Sequence, residues 1–172
     1  YELKKKEIKG EYLVELNFSK QSVMLNGALL NGKINKIIKD NDDWTVVDWK
    51  TGKGFNDWDE PKQSINDELK LHHYRYQLMS YKILIENSRD YNSNKVTKGI
   101  LEFVEEKTGD KIQEISLSFD NKETKNELER FKKLIIAVYE KIITLDFPDT
   151  TKYSQTIEGI KEFEEDLIAG TI

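Results

Sequence analysis

The stretch Thr45-Val46-Val47-Asp48-Trp49-Lys50-Thr51-Gly52 limits the fold of this chain more than any other. It opens with β-branched and apolar residues, the make-up of a buried strand. It closes with an acid and a base two residues apart, and side chains two apart on a strand share a face. Thr51-Gly52 then ends the strand and begins a loop. An Asp and a Lys on one face at the end of a buried strand must meet water, each other, or something on which they act. A carboxylate fixed there can hold a divalent cation, and a nearby ammonium can steady negative charge.

The preceding residues read as strands leading to this one. Glu11 to Phe18 alternates, with Tyr12, Val14, Leu16 and Phe18 on one side. Ser19-Lys20-Gln21 is expected to turn. Val23 to Leu30 is expected to be one strand with a bulge at Gly27. Gly32 to Ile38 is another strand, and Lys39 to Asp43 a polar turn into the Asp48 strand. Short connections of this kind predict an antiparallel meander over residues 11–50.

Residues 53–68, with Gly54 and Pro61, lack periodicity and read as loop. Leu69 to Asn87 reads as a helix with an apolar stripe of Leu71, Tyr74, Leu78, Tyr81 and Ile85. Val96 to Glu106 and Lys111 to Phe119 read as a hairpin around Lys107-Thr108-Gly109-Asp110. Asp120 with Glu123 resembles a capping box. The helix after it carries Leu128, Phe131, Ile135, Val138 and Ile142 on one face, and Phe147-Pro148 stops it. Thr156 to Ala169 reads as a last helix ending at Gly170. The order of strands, helix, strands and helices predicts an α+β or mixed α/β domain. Its 172 residues suit one domain, with 145–172 as a C-terminal helical extension.

Composition narrows the function classes. No run of about 18 apolar residues is present, so no membrane-spanning helix is expected. The absence of cysteine excludes disulfides, thiolate zinc sites and iron–sulfur clusters, and fits a reducing compartment. A bacterial cytoplasm is the expected location. Net charge is −5, so any nucleic-acid surface must be local. The start at Tyr1, without Met or a signal pattern, leads us to expect a fragment of something longer.

Three pieces carry the chemistry: Gly32-Lys33-Ile34-Asn35, Asp48-Trp49-Lys50, and Gln77 with Tyr81. Gln77 and Tyr81 are four apart and share a helix face about 6 Å along the axis. In this order the pieces resemble the PD-(D/E)XK nuclease superfamily, in its RecB-like branch. That branch shows Gly-x-Ile-Asp on one strand, Asp-x-Lys followed by Thr-Gly on the next, and Gln-x-x-x-Tyr on the following helix. Asp48-Trp49-Lys50-Thr51-Gly52 and Gln77…Tyr81 match in full, and the resemblance covers roughly residues 11–120. It implies a restriction-endonuclease-like core, with a central mixed sheet flanked by helices. It also implies a setting at the C-terminus of a UvrD/Rep-type helicase, or in a helicase–nuclease complex of DNA repair and recombination.

The resemblance further implies an exonuclease-type deoxyribonuclease. Asp48 and the Trp49 carbonyl would bind Mg²⁺ or Mn²⁺ as hard oxygen ligands. Lys50 would orient the attacking water or stabilise a phosphorane-like transition state. Gln77 and Tyr81 would position DNA or the site. Asn35 stands where the branch has Asp, bringing an oxygen but no charge. That leaves two alternatives, a degenerate copy or an introduced inactivating substitution. Branch members often carry a metal-ligating His on a helix before the first strand, which here would precede Tyr1. Glu15 is an additional acidic candidate ligand on the first strand.

Simpler roles fit the same residues. Asp48 and Lys50 can form a strand-end ion pair, and Gln77 and Tyr81 can belong to an ordinary half-buried helix. Adjacent residues on a helix point about 100° apart, so His72 and His73 do not easily share a metal and are expected as surface or loop-facing residues, with contact to phosphate as an alternative. Trp44, Trp49 and Trp58 are expected to anchor core and loops, with base stacking by Trp58 as an alternative. Lys36, Lys39, Lys53 and Lys62 are expected as solvated charge or as contacts to a DNA backbone. Two rival functions follow: a nuclease-like module that only binds DNA or holds a complex together, and a protein-interaction domain without a nucleic-acid role.

Overall fold

The computed structural model describes residues 11–40, 43–58, 64–108 and 111–172. Lys62 and residues Asn41, Asp42, Gly109 and Asp110 of the expected turns lie outside them. Five strands form one sheet: β1 (Glu11–Asn17), β4 (Lys33–Asp40), β5 (Asp43–Lys50), β6 (Lys95–Thr108) and β7 (Lys111–Ser118). The sheet order is β1-β4-β5-β6-β7. β5 and β6 run parallel, and the other pairs are antiparallel. The parallel pair requires a crossover, and α1 (Ile65–Glu86) provides it. This is a mixed α/β fold with a central mixed sheet flanked by helices, as the motif order implies.

The meander is interrupted. Val23 to Leu30 is not one bulged strand but two, β2 (Val23–Leu25) and β3 (Ala28–Leu30), paired with each other outside the main sheet. Asn26 at φ 45° and Gly27 at φ 92° make the turn. Asn-Gly with both φ positive is the two-residue hairpin signal, and it outweighs a bulge. β1 therefore pairs with β4. The alternation in β1 also differs from expectation. Tyr12 and Val14 are exposed, whereas Leu13 and Leu16 pack against the core and Phe18 is buried. Glu15 takes φ 54°, and this left-handed residue breaks the period of two.

α1 begins at Ile65, four residues before the expected start at Leu69, because Ser64 caps it by accepting from Asp67 N. Its last turns are buried almost all round, from Leu78 and Met79 to Ile85, because it lies between the sheet and the other helices. α2 (Lys122–Thr144) is capped by Asn121, which accepts from Thr124 N at 2.7 Å, so the cap is Asn121 and not Asp120. Its core face holds Leu128, Phe131 and Leu134, but Val138 is 39% and Ile142 52% exposed. The apolar stripe outruns the core it was expected to cover.

α3 (Ile157–Ala169) is held by a polar clamp. Buried Glu164 accepts from Tyr76 at 2.8 Å and Arg130 at 2.9 Å, and lies 3.0 Å from His72 Nε2. Burial pushes its carboxyl up, but hydrogen bonds from His72, Tyr76 and Arg130 outweigh it and hold the group below the usual carboxylate range. His72 is therefore not a surface residue; His73 is exposed. No helix among the described residues is long and apolar enough to cross a membrane.

Candidate active site

β5 is central in the sheet and buried along Trp44, Val46, Val47 and Asp48. Asp48, 2% exposed, is a carboxylate carried into the core by its strand. Such a charge needs partners. Its Oδ1 accepts from the Tyr81 hydroxyl at 2.5 Å and from Gln77 Nε2 at 3.0 Å. Its Oδ2 is buried without an aligned hydrogen bond among the described residues, but Lys50 Nζ lies 2.7 Å from it as an ion-pair partner. We take this contact as charge-driven rather than as a directed hydrogen bond.

The helix face predicted by the four-residue spacing points at β5. Gln77 bridges the site, donating to Asp48 and lying 2.9 Å from Tyr81 Oη while its Oε1 accepts from Lys50 Nζ at 2.5 Å. Burial, then the hydrogen bond to Asp48, raises the Tyr81 hydroxyl far above its ordinary value. It stays a neutral donor. Lys50 Nζ also lies 4.2 Å from the centroid of the Tyr74 ring, which it faces. Burial and the Asp48 charge raise the Tyr74 hydroxyl as well. The loop after Lys50 is fixed by Gly52, whose φ of 87° suits glycine and whose N–H donates to Glu105 at 2.9 Å.

Asp48, Lys50, Gln77 and Tyr81 thus converge. Asn35 joins them at the backbone: its Oδ1 accepts the Trp49 N–H at 3.3 Å, next along from the last β4–β5 pair, Lys36↔Val47. Glu15 is not drawn into this network; its exposed carboxylate pairs with Lys33 at 3.0 Å. Lys36 is buried rather than solvated, Lys39 lies over Trp44 and pairs with Glu11, and Lys53 is exposed. Trp44 is core, and Trp58 anchors its loop by donating to Ser116 O at 2.7 Å. Trp49 is 37% exposed, and its Nε1 donates to buried Glu102 at 3.0 Å. Glu102, missed in the sequence, is a charged residue inside the apolar run Ile100-Leu101-Glu102-Phe103-Val104. That interruption was its only signal.

A hard divalent cation suits this donor set in kind. The described residues offer one buried carboxylate oxygen without a hydrogen bond and the Asn35 amide oxygen. Among the described residues no three His, Cys, Asp or Glu side chains gather into a metal site.

A mixed sheet with an Asp-x-Lys pair at the end of a central strand, braced by a Gln and a Tyr from the crossover helix, defines a nuclease-like core. Residues 2–154 match the PD-(D/E)XK nuclease superfamily, and the chain belongs to it. The match ends before α3. The crystal structure of SSO0001 is similar over 92% of this chain, at 18% identity and a TM-score of 0.43. The chain spans 62% of that protein's length. No curated protein matches.

Proposed function

We propose that this chain is a RecB-like nuclease domain that hydrolyses DNA phosphodiesters with Mg²⁺ or Mn²⁺. The observation that carries this reading is the Asp48 carboxylate, whose Oδ2 is buried and faces a lysine rather than a hydrogen-bond donor network. Asp48, the Trp49 carbonyl and Asn35 would hold the ion. When bound, the ion lowers the pKa of a water and offsets charge on the scissile phosphate. Lys50 supplies the second positive charge, aimed at the water or at the transition state. Gln77 and Tyr81 hold Asp48 and Lys50 in register by saturating Oδ1 and anchoring the ammonium. We place the domain in the helicase–nuclease context of repair and recombination, in the cytoplasm, as an exonuclease-type enzyme. The basis for that context is the resemblance of its three motifs to that branch.

A second reading, a module that binds DNA without cutting it, is favoured by Asn35. With one charge at the site, affinity for a hard cation is reduced. Cleavage assayed with Mn²⁺ in Asn35→Asp separates the two, and Mn²⁺ titration with DNA binding from 50 to 200 mM salt separates both from a protein-interaction domain. We expect weak Mn²⁺ binding as the chain stands, tighter binding in Asn35→Asp, and steep salt dependence of DNA affinity in both. Flat, salt-independent DNA binding would instead favour the protein-interaction role.

A further inference from the structure

We propose that Tyr74 is a positioning residue whose ring face holds the Lys50 ammonium in the Asp48–Gln77 cradle. This deepens the nuclease reading and rests on it for its catalytic consequence, though not for the placement itself. Lysine is a point charge on a flexible four-carbon stem, so two acceptors alone leave it free to swing toward water. Here Asp48 Oδ2 lies 2.7 Å and Gln77 Oε1 2.5 Å from Nζ, and the Tyr74 ring faces it at 4.2 Å. An ammonium has three N–H donors. One points to Gln77 Oε1, the Asp48 carboxylate holds the charge without an aligned hydrogen bond, and the ring shields another side, which leaves donor capacity for a phosphate oxygen or an attacking water.

The ring is itself fixed. Tyr74 is three residues before Gln77 and seven before Tyr81, so one helix stripe presents all three to β5. Phe103, paired across from Lys50 on β6, packs against Tyr74 with centroids 6.5 Å apart. The Tyr74 hydroxyl makes no hydrogen bond among the described residues, so the ring and not the hydroxyl makes the contact. Tyr74 therefore serves as more than one member of the apolar stripe.

Two measurements on the full chain test this. In protein labelled with ¹³C at lysine Cε, the Lys50 signal is identified by its loss in Lys50→Arg. We expect it shifted upfield by the ring current, kept in Tyr74→Phe and returned to the position of the other lysines in Tyr74→Leu. In the Asn35→Asp background, single-turnover Mn²⁺ cleavage should stay within about twofold in Tyr74→Phe. It should fall about tenfold in Tyr74→Leu with substrate affinity unchanged, as suits loss of a desolvated cation–π contact. Should Tyr74→Leu fail to fold, the longer and more adaptable Tyr74→Met replaces it. An unshifted Lys50 signal, a shift that survives Tyr74→Leu, or full cleavage by Tyr74→Leu overturns the proposal. A shifted signal that Tyr74→Leu abolishes, in a protein that cleaves nothing, supports the placement and counts against the nuclease reading instead.

Discussion

Removing the cation paired with a buried carboxylate leaves that charge less well compensated. Asp48 is 2% exposed and Lys50 Nζ is its charge partner, so Lys50→Ala should do more than slow cleavage. We expect a loss of about 2–3 kcal/mol in urea unfolding, at the lower end because Tyr81 and Gln77 still serve Oδ1. Adding Asp48→Asn should recover most of it, since a neutral amide needs no counter-charge. If the double variant is as unstable as Lys50→Ala alone, the charge explanation is wrong and Lys50 matters through packing. At this scale the sequence showed the Asp48–Lys50 pair but not its surroundings. Asp48, Lys50, Gln77 and Tyr81 are visible because strand and helix periods bring them together locally. Glu102 and Tyr74 acquire their roles from partners 53 and 24 residues away, Trp49 and Lys50, which no local period announces.

At the scale of elements, α2 and α3 make opposite cases. The stripe through Val138 and Ile142 has helical spacing, yet nothing among the described residues buries it deeply. Val138→Glu and Ile142→Glu should each change stability by no more than about 0.5 kcal/mol, against about 3 kcal/mol for Leu134→Ala. A large loss in either Glu variant, read by denaturant midpoint, would show that the end of α2 is core after all. Amphipathic spacing predicts a helix well but not how far the core beneath it extends. α3 depends on a charge instead. Glu164 is held below the usual carboxylate range, so its contribution is fully present above the unfolded value of about 4.3. That contribution is lost as pH falls through the lower folded value. Melting temperature should therefore drop on acidification below about pH 4.3, and Glu164→Gln should be less stable at pH 7 with a shallower acid limb. An unchanged acid limb in that variant would remove Glu164 from the explanation. Sequence reasoning placed His72 at the surface because its carboxylate partner is 92 residues away.

For the molecule as a whole, most of the element order and the convergence of Asp48, Lys50, Gln77 and Tyr81 could be read in advance, because strand, crossover helix and hairpin each carry local signals. The β2–β3 excursion was read as one strand, although Asn26-Gly27 stated the turn; the apolar run around it masked the signal. Asn35 is the residue on which the proposed nuclease reading turns. Its Oδ1 accepts the Trp49 N–H, and an Asp in its place can keep that bond while adding a charge beside Asp48. The direct test is single-turnover cleavage of linear DNA with Mn²⁺ by three proteins: the chain as it stands, Asn35→Asp, and Asn35→Asp with Asp48→Asn. We expect little or no cleavage by the first, a rise of at least about tenfold in the second, and its loss in the third with the fold intact. Equal activity in all three, or none in Asn35→Asp despite tight Mn²⁺ binding, would contradict a nuclease site built on Asp48.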